Sequence, residues 1–125
     1  MDISPRLVPG SPVINGYGGG GFRIAGERHE GSQIVFADQV VPWPVEVLNE
    51  AAQVSLLQVL DDAGAVELLL IGCGTDVRLL SGDLHAALSS RGTGVDGMDT
   101  GAACRTFNVL LQEGRHAAAA LIAVE

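Results

Sequence analysis

Residues Gly94–Arg115, GVDGMDTGAACRTFNVLLQEGR, carry a turn, a helix start, an apolar stripe and a helix stop in one stretch. Asp99 and Thr100 each bring a side-chain oxygen able to accept from the N–H groups left unpaired in a helix's first turn. Ala103, Phe107, Leu110 and Leu111 then recur at i, i+4, i+7 and i+8, the spacing of one helix face. Gly114 supplies the left-handed residue on which helices commonly end. Cys104, Arg105, Thr106 and Asn108 add polar groups that a plain core helix does not require.

Working outward, Thr93–Val95 reads as a brief strand feeding this helix. Ala117–Val124 follows it. Alanine favours helix, but the short length, the preceding Gly114 and the run Leu121-Ile122-Ala123-Val124 predict a central strand. Upstream, Ser81 or Asp83 starts a short helix through Leu84, Ala87 and Leu88 to Ser90. Glu67–Ile71, bounded by Gly72, is an apolar run suited to a strand buried on both faces. Asn49 is a fair N-cap for a helix over Glu50–Asp62, with Ala52, Leu56, Val59 and Leu60 on one face and Gly64 closing it. Strands alternating with helices from Glu50 onward imply parallel strands joined by right-handed crossovers.

The front of the chain has a different pattern. Val13-Ile14 runs into the glycines Gly18–Gly21, and Phe22–Ile24 alternates apolar and polar as a strand does. Glu27–Glu30 reads as polar turn, and Gly31–Phe36 as a second strand pairing with Phe22–Ile24 in a hairpin. Val40–Pro44, with its prolines, reads as a short edge strand. Met1–Pro12, with three prolines, reads as a flexible arm. The expectation is one α/β domain over residues 13–125, a layered fold with a mixed central sheet and an added β-hairpin.

Composition narrows the function classes. A formal charge of −8 argues against nucleic-acid and anionic-membrane partners, both of which would be repelled before specific contact. The longest apolar run, Ala117–Val124, is far shorter than the ~20 residues of a spanning helix. Pro5 and Pro9 break any signal-peptide pattern at the start, so the reading is a soluble, cytoplasmic protein. All seven basic residues are Arg, which coding bias explains, with selection for guanidinium forks as the alternative. Cys73 and Cys104 lack CxxC or Cys/His spacing and read as free thiols. No metal or cofactor is expected.

Two glycine-rich stretches invite functional readings. Gly18–Gly21 is followed by a strand rather than a helix, and the chain has no Lys, so a tight hairpin fits better than a phosphate loop. Gly72-Cys73-Gly74-Thr75-Asp76 follows a buried strand, where ligands of open α/β sheets bind; an ordinary strand exit is the competing reading. Around the long helix, Asp99 reads as a cap. Arg105 sits in the first turns, where the helix dipole mildly opposes it, so a salt bridge to Asp96 or Asp99, or an anion partner, is expected. Asn108 either shares that cleft or hydrogen-bonds a neighbouring loop. His85 and His116 lack ligand spacing, and no Ser/His/Asp, HExxH or CxxC constellation can be assembled.

Three blocks together resemble the MTH938-like (DUF498) family: INGYGGGGFRIAG with GSQIVF, VPWP leading to ELLLIGCGTD, and GVDGMDTGAACRTFNVLLQEGR. The resemblance spans roughly Val13 to Val124. It implies a compact three-layer α/β fold with a mixed central sheet. The family includes a mitochondrial respiratory complex I assembly factor and has no established enzymatic chemistry, so the resemblance implies an assembly or adaptor role. One departure is Asp96, which stands where the family often has Glu, with Gly97 intervening; any contact of the longer side chain is altered. The first expectation is therefore a non-enzymatic interaction factor with an unnamed protein partner. The second is a small-molecule or anion-binding domain, a cryptic enzyme included. Both use Gly72, Gly74, Thr75, Asp99, Arg105 and Asn108. The chain is expected to be a monomer or weak homodimer, with Val41, Trp43 and the edge strand as the pairing surface.

Overall fold

The computed structural model describes residues 11–64, 66–75 and 81–125. Most of the expected N-terminal arm, and Asp76 of the Gly72–Asp76 loop, lie outside them. The elements are β1 (Ile14–Gly18), β2 (Gly21–Ile24), β3 (Glu27–Glu30), β4 (Gln33–Phe36), β5 (Val40–Pro42), α1 (Glu50–Ala63), β6 (Leu68–Gly72), α2 (Gly82–Ser90), β7 (Gly94–Met98), α3 (Thr100–Gln112) and β8 (Ala117–Leu121).

Five strands form a mixed sheet in the order β5-β4-β8-β6-β7. β8, β6 and β7 are parallel, while β4 runs antiparallel to both β5 and β8. α1 and α2 carry the chain across the sheet in one direction, and α3 brings it back from β7 to β8. Right-handed crossovers therefore place α1 and α2 on one face and α3 on the other. Leu56 and Leu60 of α1 and Leu84 and Leu88 of α2 pack on Ile34, Leu69 and Ile71. Ala103, Phe107 and Leu110 of α3 pack on Val35, Leu70 and Leu121, together with Phe22 and Ile24 of the small sheet.

β8 is the hub. All five of its residues are buried. Ala118 and Ala120 face the α1/α2 core, and Ala117, Ala119 and Leu121 face α3. Alanine's helix propensity is overridden because small side chains on both sides of a central strand let both helical layers approach closely. The caps follow the sequence: Asn49 accepts from Ala52 N–H, Ser81 from Leu84 N–H and Asp99 from Ala102 N–H. The last strand before α3 is longer than Thr93–Val95 suggests, running to Met98.

The front hairpin is arranged differently from the expectation. β2 pairs with β1 and β3 in a separate antiparallel sheet, and β4 joins the central sheet instead. The polar stretch Glu27–Glu30 is strand β3. Its connection to β2 is the pair Ala25-Gly26, both at positive φ (51° and 82°), the conformation that matches a tight hairpin's twist. Ala-Gly does not advertise that turn as Asn-Gly would. The glycine run supplies the other turn, with Gly19 and Gly20 at φ 60° and 81°. Gly21 lets β3 approach, since a Cβ there would stand 2.5 Å from the His29 carbonyl oxygen.

β5 is an edge strand, but Trp43 is not part of its exposed surface. It is 1% exposed, and its Nε1 donates to Ser55 Oγ at 2.9 Å. The chain turns inward after Pro42 because burying an indole with its N–H satisfied outweighs leaving it in water.

Candidate functional site

The carboxyl ends of β6, β7 and β8 meet in a closed set of hydrogen bonds. Cys73 N–H donates to the Met98 carbonyl (2.8 Å), Ile122 N–H to Gly72 (3.0 Å) and Thr100 N–H to Gly74 (2.9 Å). Thr100 Oγ1 donates to the Ile122 carbonyl at 2.7 Å and accepts from Gly74 N–H at 3.0 Å. Thr100 is fully buried, so it is a latch inside the helix start, and Asp99 alone is the N-cap. Gly72 is glycine because a Cβ would stand 3.0 Å from Thr100 Cα and 3.1 Å from Leu121 Cδ2.

A second buried hydroxyl works from the other side. Ser32 Oγ donates to the Val45 carbonyl at 2.8 Å and accepts from Ala123 N–H at 2.9 Å. Gly20 N–H adds a bond to the Val124 carbonyl at 2.9 Å. Between these braced segments lies an open cleft of about 350 Å³, bordered by Glu46, Val47, Gly74, Thr75, Ile122 and Val124. It sits beyond the strand carboxyl ends, where α/β sheets bind ligands.

The six residues singled out from the sequence do not gather there. Gly72 is under the latch, and Gly74 and Thr75 border the cleft. Asp99 is occupied as a cap, accepting from Ala102 N–H at 2.8 Å. Asn108 points to the small sheet: Oδ1 accepts from Ile14 N–H (2.8 Å) and Nδ2 donates to the Ile14 carbonyl (2.9 Å). That is the neighbouring-segment reading rather than the cleft reading. Its amide stands in for a strand along the free edge of β1.

Arg105 is exposed. The expected bridge to Asp96 or Asp99 is not formed, since the ion pairs among the described residues are Arg28–Glu30, Arg91–Asp61 and Arg115–Glu67. The Asp99 carboxylate accepts from Ala102 N–H, and the Arg105 guanidinium lies instead over Gly101. A Cβ on Gly101 would collide with Tyr17 Oη and stand 3.3 Å from Arg105 Nη1. Sequence reasoning missed Tyr17, Ser32 and the latch role of Thr100. A glycine in the first turn of a helix costs stability relative to Ala, and that signal marks Gly101 as a point of close approach.

The thiol of Cys104 is not set up as a nucleophile. Cys104 is buried, and desolvation pushes its pKa up to about 12 against the opposing pull of the Arg105 charge. Cys73 is also buried, its Sγ 3.7 Å from the Ile71 carbonyl oxygen. Among the described residues no three His, Cys, Asp or Glu side chains gather as a metal site. No helix of the described residues is long and apolar enough to cross a membrane.

The family described as "Protein of unknown function (DUF498/DUF598)" matches residues 14–122. An uncharacterised protein of Rhodobacter capsulatus is 40% identical over 113 residues, covering 90% of this chain and 86% of its own length. The mouse NADH dehydrogenase [ubiquinone] 1 alpha subcomplex assembly factor 3 is 34% identical over 116 residues, or 91% of this chain; the chain spans only 62% of that relative's length. Among solved structures, a Bordetella pertussis protein described as a Mth938-like domain superposes with a TM-score of 0.75 at 27% identity, covering 98% of this chain and 92% of that one. A family match across nearly the whole described fold, with relatives alike in both sequence and architecture, places this chain in the DUF498/DUF598, or Mth938-like, family.

Proposed function

We propose that this chain is a non-enzymatic interaction or assembly-type factor acting on a protein partner in the cytoplasm, with neither nucleic acid nor membrane as its target. One observation carries the reading: Asp99, Thr100, Thr106 and Asn108, polar residues of Gly94–Arg115, are spent on the fold. Asp99 caps, Thr100 latches, Asn108 fastens β1, and Thr106 Oγ1 donates to the Ala102 carbonyl. The one thiol in the segment is held protonated by burial. What remains on the surface is suited to recognition rather than bond-making. Relatives named as complex I assembly factors support the same direction. The test is affinity purification of the tagged chain from native extract that includes membranes. The expected result is a protein retained in stoichiometric amount. A small metabolite co-purifying stoichiometrically, with no protein retained, would contradict it.

A second reading, a small-molecule or anion site, rests on the braced cleft beside Gly74 and Thr75. Thermal shift against a metabolite panel separates the two. A ligand at 100 times its dissociation constant stabilises by about 2.7 kcal/mol, and Thr75→Trp, which fills the cleft mouth, should remove the gain.

A further inference from the structure

β1 lies along α3 and is fixed to it at two points. Ile14 is held by both amide atoms of Asn108, and Tyr17 is seated against Gly101. The spacings agree: three residues of strand cover ~10 Å, and seven residues of helix cover about the same. Tyr17 is therefore seated against α3, although it is 46% exposed. Beside it on one line of the helix come Gly101, Arg105 and Val109, at i, i+4 and i+8. Val109 is 55% exposed and, among the described residues, stands in solvent with Tyr17, Val47 and Val54 as a large apolar side chain. Arg28, Arg91 and Arg115 each have a carboxylate partner, whereas Arg105, and Arg23 in the small sheet, which donates to the Gly26 carbonyl, are in no ion pair among the described residues.

From this juxtaposition we infer that the strip Tyr17–Arg105–Val109 is the partner-docking surface, and that it takes a protein segment presenting a carboxylate to Arg105 flanked by apolar side chains for Tyr17 and Val109. This rests on the protein-partner reading above and names its surface. Three features support it. Tyr and Arg are the side chains that dominate interface energetics. Pinning the Tyr17 ring before binding lowers the ordering cost of docking. An exposed guanidinium in no ion pair among the described residues is complementary to a carboxylate supplied by another chain, in bidentate geometry.

Site-specific photo-crosslinking in the native cell tests it, with p-benzoylphenylalanine placed singly at positions 17, 109, 47 and 54. Positions 47 and 54 are the exposed valines outside the strip and serve as controls. The expected result is a crosslink from 17 and 109 to one protein, through a peptide containing Asp or Glu. Arg105→Glu should lower that yield about tenfold or more, the loss carried by an interface hot spot, and Arg105→Lys should restore part of it. Crosslinks from 47 or 54 with 17 and 109 silent would overturn the surface while leaving the partner reading intact. A linked peptide without a carboxylate, or a second copy of this chain as the linked protein, would overturn the stated chemistry. Silence at all four positions would overturn the surface, and the affinity purification above decides the partner reading separately.

Discussion

The two sides of α3's first turns use polar side chains in opposite ways. On the inner side, Thr100 is fully buried and makes two hydrogen bonds through one hydroxyl, tying the ends of β6 and β8 to the helix start. On the outer side, five residues later, Arg105 lies in solvent beside Tyr17 with no ion pair among the described residues. A dense polar segment is therefore not one site. Its inward residues are answerable to the fold, and its outward residues are free to answer to something else.

The contrast breaks most sharply at the latch. Thr100→Val keeps the shape but leaves Gly74 N–H and the Ile122 carbonyl without that partner; urea unfolding should show a loss of about 2–4 kcal/mol, the cost of two unsatisfied buried groups. A loss under about 0.5 kcal/mol would mean the hydroxyl is incidental. Asn108→Ala is next. It removes both bonds to Ile14 from a half-buried position, so a loss of about 1–2 kcal/mol is expected, with faster hydrogen exchange at the Ile14 amide than at the β8 amides. Ala25 sharpens the picture from the small sheet. Its φ of 51° strains a residue with a Cβ, so Ala25→Gly should raise stability by about 0.5–1 kcal/mol, and thermal unfolding reads the sign directly. Arg105→Glu should leave stability within about 0.5 kcal/mol of the parent, as an exposed position away from packing does.

Cys104 gives the same inner-side prediction through pH. Its folded pKa of about 12 lies above the ordinary thiol value of 9.0. Above pH 9 the unfolded chain therefore releases a proton that the folded chain keeps, and stability falls as pH rises from 9 toward 12. In the native chain near neutral pH, thiol reagents should modify Cys104 only as fast as the protein opens.

Much of the central fold was legible because its signals are local. Asn49, Ser81 and Asp99 mark three helix starts, and the short length of Ala117–Val124, its place after Gly114 and the run Leu121–Val124 outweigh alanine's contrary propensity. The small sheet was harder to read. Its strand pairing depends on an Ala-Gly turn and on a strand, Glu27–Glu30, whose polarity looks like a loop until β2 is placed beside it. The site was the least legible part. Arg105 and Asn108 are one helical turn apart, yet they face different neighbours, and Tyr17 is 84 positions away from Gly101 in sequence. Nothing in the spacing of residues predicts that a hydroxyl from β1 fills the place of a helix Cβ.

The most direct measurement of the central claim is the crosslink yield from position 17 in the Arg105→Glu chain, taken alongside its urea unfolding curve. The account predicts an unfolding midpoint equal to the parent's and a crosslink lost by about tenfold or more. A crosslink of undiminished yield from a folded Arg105→Glu chain would contradict it.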